Sequence, residues 1–427
     1  MGAKYRAPRG TTDVVFPESE KLERLVGLTS EILRLHGYNR IETPVLESTE
    51  LFVRSIGRET DIVNKEMYTF EDQGGESLTL RPEGTAPVIR AYLERSLASR
   101  GLPQKLYYCG PMFRRERPQA GRFRQFSQVG AEVIGSDDPF VDAEVISVSD
   151  LVFMSLGLKR YRLLMNSVGC RECRPSYQET LVAYLEKTRG DLCDRCARRA
   201  SVNPLRVFDC KEEGCRELIA EAPAIGDHLC DACLAHFQSV LSNLDNLGVS
   251  YVTDHRLVRG LDYYARTAFE FQFDGLGAQN AVSAGGRYDY LAEELEGPPT
   301  PGVGFSMGLE RLALSLSAEG LDPFEPTRLD VFVAGVEDAD REKVLATLTG
   351  LRRAGISADA DFQGRSLKSQ MKQADRLNVR LVMIIGGAEL GKGEVVLRDL
   401  GLSSQWNVPS GEVVRSVSDY LLRRTGR

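Results

Sequence analysis

Arginine side chains are concentrated in one short stretch of the chain, residues 106–135, LYYCGPMFRRERPQAGRFRQFSQVGAEVIG. Five arginines lie between Arg114 and Arg124, and Glu116 is the one acidic residue among them. On a bare surface these like charges would repel one another, whereas guanidinium groups bind phosphate oxygens in bidentate pairs. A solvated charged hairpin would explain the same residues, but the pattern favours an anionic ligand, and a nucleotide phosphate in particular.

Two strands are predicted to position these side chains, because β-branched and aromatic residues flank a turn at residues 118–121 (PQAG). Side chains alternate along a strand, so polar groups are expected on one face and apolar groups on the other. The polar face is predicted to carry Arg114 and Glu116 on the first strand and Arg122, Arg124, Gln128 and Glu132 on the second. The core-facing side chains are predicted to be Phe113, Phe123, Val129, Ala131 and Val133.

A second candidate binding group precedes this hairpin, in residues 78–88 (LTLRPEGTAPV). The segment ends a predicted strand and turns at Gly84, so the turn is expected to expose Glu83. Such a carboxylate is either an ordinary surface charge or, together with Thr85, a binding site for an ammonium group.

Residues 257–271 (LVRGLDYYARTAFEF) place Arg259 between Val258 and Gly260. Burying its charge costs free energy unless a partner is present. Arg259 is therefore expected either to form an internal salt bridge, for which Asp262 is a candidate, or to bind a phosphate group of a ligand. Further along, residues 284–290 (AGGRYDY) contain paired glycines at which the backbone can approach a ligand, and residues 301–312 (PGVGFSMGLERL) predict a strand leading into a helix.

Eight of the nine cysteines lie within residues 170–233, in closely spaced pairs. They are Cys170 and Cys173, Cys193 and Cys196, Cys210 and Cys215, and Cys230 and Cys233. Two such pairs complete a closed tetrahedral zinc site, so the eight thiols predict two structural sites that would stabilise a small module, with His228 or His236 as spare ligands. The alternative is a set of reduced cysteines that hold no metal. Cys109, alone in a strand, is expected to pack in a core.

Composition limits the class of protein. The 427 residues suffice for two or three domains, and 42% hydrophobic and 27% charged side chains are ordinary for a globular protein. There is no signal-peptide pattern and no apolar run of about twenty residues, which predicts a cytoplasmic protein without a membrane partner. Because the net charge is −7, a nucleic acid would have to be bound by local basic patches. The four histidines do not suggest histidine-based acid–base catalysis.

Several motifs resemble those of one enzyme family. The segments F-R-x-E-R-P and G-R-F-R-Q-F resemble motif 2 of the class II aminoacyl-tRNA synthetases. A predicted helix over residues 18–36 and a predicted strand with Pro44 over residues 38–46 resemble motif 1, and residues 301–312 resemble motif 3. L-V-R-G-L-D-Y-Y at 257–264, AGGRYDY at 284–290 and R-P-E-G-T at 81–85 are similar to segments of the histidyl-tRNA synthetases.

The resemblance implies a histidine–tRNA ligase that uses ATP and Mg²⁺ to form a histidyl-adenylate and then transfers the histidyl group to tRNA. It implies that Arg259 and Arg114 bind the α-phosphate as catalytic residues, and that Glu116, Arg122 and Arg311 bind ATP beside Arg114. The residues implied to bind histidine are Glu83, Thr85, Gln128, Glu132, Tyr263, Tyr264 and Tyr288, with Glu132 and Tyr264 at the ring nitrogens. Arg117 and Gln119 are implied to contact the acceptor end of the tRNA.

The implied fold is α/β: an α+β catalytic core with an antiparallel class II sheet, a cysteine-rich insertion, and a small C-terminal α/β anticodon-binding domain. The expected division is 1–168 catalytic domain, 169–240 insertion, 241–322 catalytic domain continued, 323–328 linker and 329–427 anticodon-binding domain. The implied partners are the tRNA for histidine, L-histidine, ATP and a second copy of the chain in a homodimer.

Two other functions fit parts of the same pattern. One is a non-catalytic paralogue that acts as regulatory subunit of ATP-phosphoribosyltransferase, which shares the catalytic fold but typically lacks the C-terminal domain and catalytic motif residues. The other is an inactive protein that only binds tRNA. Basic residues recur beside the apolar stripe Leu367, Met371 and Ala374 on a predicted helix. A solvated helix face explains these basic residues as well as a nucleic-acid-binding surface does. Residues 386–393 are not a P-loop, because Gly393 replaces the required Ser or Thr.

Overall fold

The structure, a computed structural model, describes residues 5–58, 60–117, 121–210, 212–277, 280–324 and 328–425. The chain forms two compact units, Met1–Phe324 and Glu325–Arg427. Across the described ranges, no helix has both the length and the apolar composition that crossing a bilayer requires.

The first unit begins with one long helix and several short elements. They are α1 (Glu18–Leu35), β1 (Asn39–Arg40), β2 (Leu46–Ser48), α2 (Thr49–Ile56), β3 (Tyr68–Glu71), β4 (Ser77–Leu80) and α3 (Thr85–Glu94). Leu25, Ile32 and Leu33 are buried along one side of α1, as the helical spacing predicts. The single strand predicted over residues 38–46 is wrong in extent. It divides into β1 and β2, and Pro44, which has no N–H to donate to a sheet, lies between them.

The rest of the first unit forms a large sheet, and the cysteine-rich insertion interrupts its strands in the sequence. Before the insertion come β5 (Gln104–Phe113), β6 (Gln125–Ile134), α4 (Pro139–Ser155) and β7 (Tyr161–Ser167). The insertion contains α5 (Arg174–Lys187), α6 (Asp194–Val202), α7 (Glu213–Ala220) and α8 (Asp231–Asn246). After it come β8 (Tyr251–Thr253), β9 (Ala265–Phe273), β10 (Ala281–Arg287), α9 (Leu291–Glu294), β11 (Gly302–Gly308) and α10 (Leu309–Glu319).

The large sheet has eight strands in the order β1-β5-β6-β11-β10-β9-β7-β8. The β1–β5 and β7–β8 pairs are parallel, and the other neighbours are antiparallel. Val129, Ala131 and Val133 of β6 are buried in the main core with Val145 and Ile146 of α4. The predicted core face of the second hairpin strand is therefore confirmed at these three positions.

The hairpin strands are shorter than predicted, because β5 ends at Phe113 and β6 begins at Gln125. Consequently the placement of Arg114, Glu116, Arg122 and Arg124 on strand faces is wrong, and these side chains belong to the connecting loop. Phe113 and Phe123 are only half-buried, so their predicted place in the core is also wrong. The loop is held at its base by a hydrogen bond from the backbone N–H of Arg114 to the carbonyl of Arg124.

The second unit is a small α/β domain. Its elements are β12 (Val331–Gly335), α11 (Arg341–Arg353), β13 (Ala358–Ala360), α12 (Leu367–Arg376), β14 (Leu381–Ile385), α13 (Gly387–Gly391), β15 (Glu394–Asp399), β16 (Ser404–Pro409) and α14 (Val413–Thr425). The sheet order is β13-β12-β14-β15-β16, with β12 parallel to both of its neighbours. Leu367, Met371 and Ala374 pack against this sheet, as the apolar stripe predicts.

Candidate active site

A cavity of about 310 Å³ opens between the large sheet, the β5–β6 loop and residues 258–264. Most of the predicted site residues line it: Glu83, Thr85, Arg114, Glu116, Arg122, Gln128, Arg259, Tyr263, Tyr264, Tyr288 and Arg311. Glu132 contacts two of these lining residues, Thr85 and Tyr288. The fold therefore brings segments far apart in sequence to one place.

Glu83 is buried in the cavity wall and not exposed by its turn, so the predicted exposure is wrong. Its carboxylate accepts hydrogen bonds from the backbone N–H groups of Thr85 at 2.7 Å and Ala86 at 2.9 Å, at the start of α3. The N-terminal end of a helix stabilises a negative charge in this position. Burial raises the pKa of Glu83, against the effect of these two backbone donors. Glu83 is thus a fixed, buried acceptor at the edge of the cavity.

Glu132 lies on β6 opposite Gly304 of β11. A Cβ atom at Gly304 would lie 1.8 Å from Glu132 Oε2, so only glycine leaves room for this carboxylate. Tyr288 Oη donates to Oε2 at 2.7 Å, and Thr85 Oγ1 donates to Oε1 at 2.8 Å. Burial raises the pKa of Glu132 to about 8, although these hydrogen bonds oppose the shift.

Three tyrosines form one wall of the cavity. The ring centroids of Tyr263 and Tyr264 are 4.7 Å apart, and those of Tyr263 and Tyr288 are 6.0 Å apart. Burial raises the pKa of each of the three phenols, which therefore stay protonated at neutral pH. Gln128 also lines the cavity. Its buried Oε1 has no hydrogen-bond partner among the described residues and can therefore accept a hydrogen bond from a ligand. The wall can thus both donate and accept hydrogen bonds to a polar ligand.

Arg259 forms a salt bridge, but its partner is Glu270 at 2.5 Å and not Asp262. Asp262 instead pairs with Arg206 at 2.7 Å, so the candidate pair proposed from the sequence is wrong. The Arg259 guanidinium lies 5.9 Å from the centroid of the Tyr264 ring, and its buried Nε has no acceptor in the described part of the chain. One side of the guanidinium is fixed by Glu270, and Arg259 lines the cavity.

Three further arginines reach the same cavity. Arg114 donates from Nε to the carbonyl of Pro82 at 2.8 Å, Arg122 pairs with Glu116, and Arg311 extends from α10. Burial and the neighbouring Arg122 guanidinium lower the pKa of Arg311. Such a concentration of guanidinium groups is suited to an anion with several charged oxygens.

Arg117, a predicted residue within the described ranges, does not line this cavity. Arg117 is exposed on the β5–β6 loop, and Gln119 lies outside the described residues. A larger cleft of about 970 Å³ adjoins the cavity and shares Arg114, Arg122 and Arg311 with it. Its other basic residues are Lys65, Arg206 of the insertion, and Arg195, Arg198 and Arg199 of α6.

Comparison with known proteins identifies the family. Residues 10–312 match the family model for histidyl-tRNA synthetase, and residues 330–420 match the model for an anticodon-binding domain. The chain belongs to the histidyl-tRNA synthetase family. The family and the fold class expected from the motifs are thereby confirmed.

Close relatives of this synthetase-family chain cover almost all of its length. It is 50% identical over 408 residues to the histidine–tRNA ligase of Desulforamulus reducens, covering 95% of this chain and 97% of that protein. It is 49% identical over 407 residues to that of Moorella thermoacetica, covering 95% and 96%. The crystal structure of apo S. aureus histidyl-tRNA synthetase superposes with a TM-score of 0.82 at 37% identity, over 97% of this chain and 99% of that one.

A more distant structure shares the fold alone. It is described as an ATP phosphoribosyltransferase regulatory subunit/histidyl-tRNA synthetase from Bacillus halodurans, with a TM-score of 0.65 at 23% identity over 91% of this chain.

Two acidic residues of the synthetase cavity were missed in the sequence: Glu270 and Glu310. Glu270 lies between Phe269 and Phe271, which are fully buried, so strand alternation could have placed it on the cavity side of β9. Glu310 accepts from the backbone N–H of Ser127 at 2.8 Å through Oε1, and its buried Oε2 has no partner among the described residues. Glu310 could have been recognised in the sequence because it directly precedes Arg311 in the segment that resembles motif 3.

The eight paired cysteines of the insertion form two clusters of four. One contains Cys170, Cys173, Cys230 and Cys233, and the other contains Cys193, Cys196, Cys210 and Cys215. Within each cluster, all four sulfur atoms lie within 4.8 Å of one another. In the first, Sγ–Sγ distances of 3.7, 3.8 and 3.9 Å match the roughly 3.8 Å edge of a tetrahedron with Zn–S bonds of about 2.3 Å.

The surroundings of the sulfur atoms favour a thiolate at one cysteine of each cluster, whereas burial raises the pKa of Cys196, Cys215 and Cys233. Burial raises the pKa of Cys170, but backbone N–H donors from Cys173 and Glu172 outweigh it, and the pKa falls to about 7. The backbone N–H of Cys196 likewise lowers the pKa of Cys193 to about 7. The spare-histidine expectation is wrong, because His236 bonds Asp142 at 3.2 Å and the described groups able to share an ion contain cysteines only.

Proposed function

We propose that this chain attaches L-histidine to its cognate tRNA through a histidyl-adenylate intermediate, and that the cavity described above is where the adenylate forms. The observation that carries this proposal is the joining of two chemically different sites in one cavity. Buried carboxyl, phenol and amide groups line the cavity together with four guanidinium groups. The first set suits an amino acid with a polar ring, and the second suits a triphosphate.

The ammonium group of histidine is proposed to bind among Glu83, Thr85 and Gln128. Glu83 offers a buried carboxylate already oriented by two backbone donors. Gln128 Oε1 lacks a donor among the described residues, and an ammonium group would supply one. The pair thereby fixes the end of the substrate whose carboxylate must attack.

The imidazole ring is proposed to lie against Tyr263, Tyr264 and Tyr288, with Glu132 and Tyr264 at its nitrogens. A site that makes hydrogen bonds to a polar ring rejects analogues that lack those groups, because its own buried groups are then left unpaired. Rejection by a factor of about 10⁴ or more is attainable in this way without an editing domain.

The histidine carboxylate attacks the α-phosphorus of ATP, the bond to the β-phosphate oxygen breaks, and pyrophosphate leaves. Arg114 and Arg259 are proposed to stabilise the charge that develops on the α-phosphate, while Glu116, Arg122 and Arg311 bind the rest of ATP. The terminal tRNA hydroxyl then takes the histidyl group and releases AMP. Neither step requires a protein nucleophile, so positioning and charge stabilisation account for the catalysis.

Mg²⁺ is the expected companion of ATP in this enzyme class. Glu310 fits the role of ligand, because its Oε2 is buried in the cavity wall without a donor in the described part of the chain. A bound ion would neutralise phosphate charge and help to orient the leaving pyrophosphate.

The tRNA acceptor end is proposed to enter through the larger cleft, contacting Arg117 and Gln119. The cleft meets the cavity at Arg114, Arg122 and Arg311, so it gives a polyanion a continuous basic path to the reaction centre. The second unit would bind the anticodon, in keeping with its family match. We further propose that the domain boundaries follow residues 168, 240, 322 and 328. We also propose that the protein is a homodimer and that it is cytoplasmic.

Each cysteine cluster is proposed to hold one structural Zn²⁺. The sulfur spacing and the four-thiolate composition fit zinc, and no ligand position is left open for chemistry. The insertion also has an apolar cluster, which includes Tyr177, Leu181, Val207 and Ile219. Metal would therefore add to an existing apolar core of the insertion and would not replace one.

The regulatory-subunit alternative is not favoured. Relatives named histidine–tRNA ligase match over the full length, and the C-terminal domain is present. The test is amino-acid-dependent ATP–pyrophosphate exchange with purified protein, using each of the common amino acids in turn, followed by charging of tRNA. We expect exchange with histidine alone and transfer to the histidine-specific tRNA. Absence of histidine-dependent exchange would refute the proposal.

A further inference from the structure

The segment that carries Arg259, Tyr263 and Tyr264 has no regular secondary structure of its own. Residues 254–264, here called the arginine–tyrosine loop, lie between β8 and β9 outside any helix or strand. A loop without ladder hydrogen bonds depends on tertiary contacts for its position. Those contacts therefore decide where the proposed catalytic and histidine-binding groups stand.

The second cysteine cluster provides one such contact, through Arg206. This residue belongs to a 3₁₀ turn, Pro204–Asp209, that lies in sequence between two cluster cysteines, Cys196 and Cys210. Arg206 is buried and donates from Nη2 to Asp262 of the arginine–tyrosine loop at 2.7 Å. The cluster and the loop are thus joined by one short turn and one ion pair.

Asp262 has a second bond to the residue that directly precedes this turn and one to the catalytic domain. Asn203 donates from Nδ2 to Asp262 Oδ1 at 3.3 Å, and the backbone N–H of Asp262 donates to the carbonyl of Ile56 at 3.1 Å. Asp262 follows Leu261 and precedes Tyr263, so a shift of its backbone would move a cavity-lining residue on either side.

The first cysteine cluster contacts the other end of the loop through Arg174. Arg174 directly follows Cys173 and is the first residue of α5. Its guanidinium donates to the carbonyl oxygens of Val168 at 2.9 Å, Gly169 at 3.2 Å and Tyr264 at 2.5 Å. One side chain thus joins the end of β7, the cysteine cluster and the tyrosine proposed to bind the imidazole.

We propose that Arg174 and Arg206 are positioning residues that couple the two cysteine clusters to the arginine–tyrosine loop, so that metal loading of the insertion sets the affinity for histidine. The metal part of this inference rests on the zinc sites proposed above. Four thiolates on one ion cross-link the residues that anchor each arginine. Without the ion the anchors lose this cross-link and are held by apolar packing alone, so the contact between the loop and the insertion is weakened.

Arginine substitutions test the coupling without touching a metal ligand or a residue of the cavity proposed to bind histidine and ATP, although Arg206 also lines the larger cleft. Arg174→Ala and Arg206→Ala are compared with Arg189→Ala, an exposed arginine of the insertion that pairs with Glu186 at 2.5 Å. We expect the two test variants to keep the metal content of the control, with a lower melting temperature because buried hydrogen bonds are lost. The KM for histidine in pyrophosphate exchange should rise about 10-fold, with the KM for ATP changed far less. Hydrogen exchange should accelerate in residues 254–264.

A double-mutant cycle separates the ion pair from a general loss of packing. If Arg206 acts through Asp262, the change in histidine KM for the Arg206→Ala, Asp262→Ala double variant will equal that of either single variant. Arg206→Lys should restore part of the affinity. A histidine KM and a loop exchange rate in Arg174→Ala and Arg206→Ala equal to those of Arg189→Ala would overturn the coupling.

The metal dependence is tested with the double variant Cys193→Ser, Cys196→Ser and elemental analysis. We expect this variant to lose one of two metal equivalents and to show the same rise in histidine KM as Arg206→Ala, with no further rise when the substitutions are combined. Metal loss with an unchanged histidine KM would overturn the inference. Metal-free wild-type protein would refute the zinc sites instead, and the arginine variants would still report on the coupling.

Discussion

Tyr288 and Glu132 form a buried hydrogen bond of 2.7 Å at the histidine side of the cavity, with the phenol as donor. Thr85 donates to the other carboxylate oxygen, so both oxygens of Glu132 are engaged. Burial nevertheless raises the pKa of Glu132 to about 8. At neutral pH the folded protein therefore keeps a proton on Glu132 that the unfolded chain has released. Burying this polar group in the pocket therefore lowers the free energy of unfolding at neutral pH.

That proton gives a pH dependence with a definite sign. The pKa of Glu132 is higher in the folded protein than its ordinary value of 4.5, so the folded state binds more protons between these limits. Stability must then fall as pH rises from about 5 to about 8, by up to about 1.4 kcal/mol per pH unit from this group. We predict that Glu132→Gln removes this component. The measurement is the free energy of unfolding at several pH values for both proteins.

The quantity to compare is the slope of the free energy of unfolding against pH in the two proteins. Comparing slopes cancels the contributions of Glu83 and the other titrating groups, which both proteins share. The wild-type protein should lose stability with rising pH more steeply than Glu132→Gln over this window. Parallel curves for the two proteins would show that Glu132 does not retain its proton in the fold.

Tyr264 is predicted to affect histidine binding more than ATP binding. Its phenol is proposed to hydrogen-bond an imidazole nitrogen, and loss of one such bond costs about 1–1.5 kcal/mol. Tyr264→Phe should therefore raise the KM for histidine about 10-fold in pyrophosphate exchange, with little change in the KM for ATP. Tyr161→Phe is the matched control, because the Tyr161 phenol bonds Asp150 at 2.8 Å away from the cavity lining. Equal KM values in the two variants would contradict this role.

Glu270 is predicted to act by orienting Arg259. Its carboxylate is the salt-bridge partner of that guanidinium at 2.5 Å. Glu270→Gln keeps a hydrogen-bond acceptor but removes the charge, so we expect kcat for exchange to fall about 10-fold while the fold is retained. The control is Glu319→Gln, whose carboxylate accepts from the backbone N–H of Lys159 at the far end of α10. Unchanged kcat in Glu270→Gln would show that Arg259 needs no such support.

The zinc proposal predicts a stability difference on metal removal. Chelation should lower the melting temperature of the protein, and the first residues to gain hydrogen exchange should lie in 170–233, where the clusters are. Restoring Zn²⁺ should reverse the change, and Mg²⁺ should not, because Mg²⁺ prefers oxygen ligands. A melting temperature that is indifferent to chelator and to added Zn²⁺ would contradict structural zinc.

The sequence predicted those helices and strands in which the spacing of apolar residues along the chain determines which face is buried. Helix α1 follows the periodicity of Leu25, Ile32 and Leu33, and the core face of β6 follows the alternation at Val129 and Val133. The β5–β6 loop was misassigned for the opposite reason. Residues 114–117 (RRER) continue from β5 towards the predicted turn, but tertiary contacts hold their backbone outside the strand, such as the bond from Arg115 N–H to the carbonyl of Glu66 at 2.7 Å.

Partner choice within the site could not be predicted from sequence separation. Asp262 is near Arg259 in the chain, but the fold gives Glu270 to Arg259 and Arg206 to Asp262. These choices depend on how the insertion packs against the sheet, which no local spacing encodes. Burial of Glu83 was missed similarly, since the turn at Gly84 is covered by Tyr108, whose ring lies 2.3 Å from where a Cβ atom of Gly84 would be.

Histidine-dependent pyrophosphate exchange in Arg259→Ala, set against Arg256→Ala, tests the central claim most directly. Arg256 lies in the same loop but is exposed and pairs with Asp254 at 3.0 Å. Loss of one stabilising donor at the α-phosphate predicts a decrease of about 10²–10³ in exchange for Arg259→Ala, with Arg256→Ala close to wild type. Near-normal exchange in Arg259→Ala would contradict the claim that this cavity activates histidine.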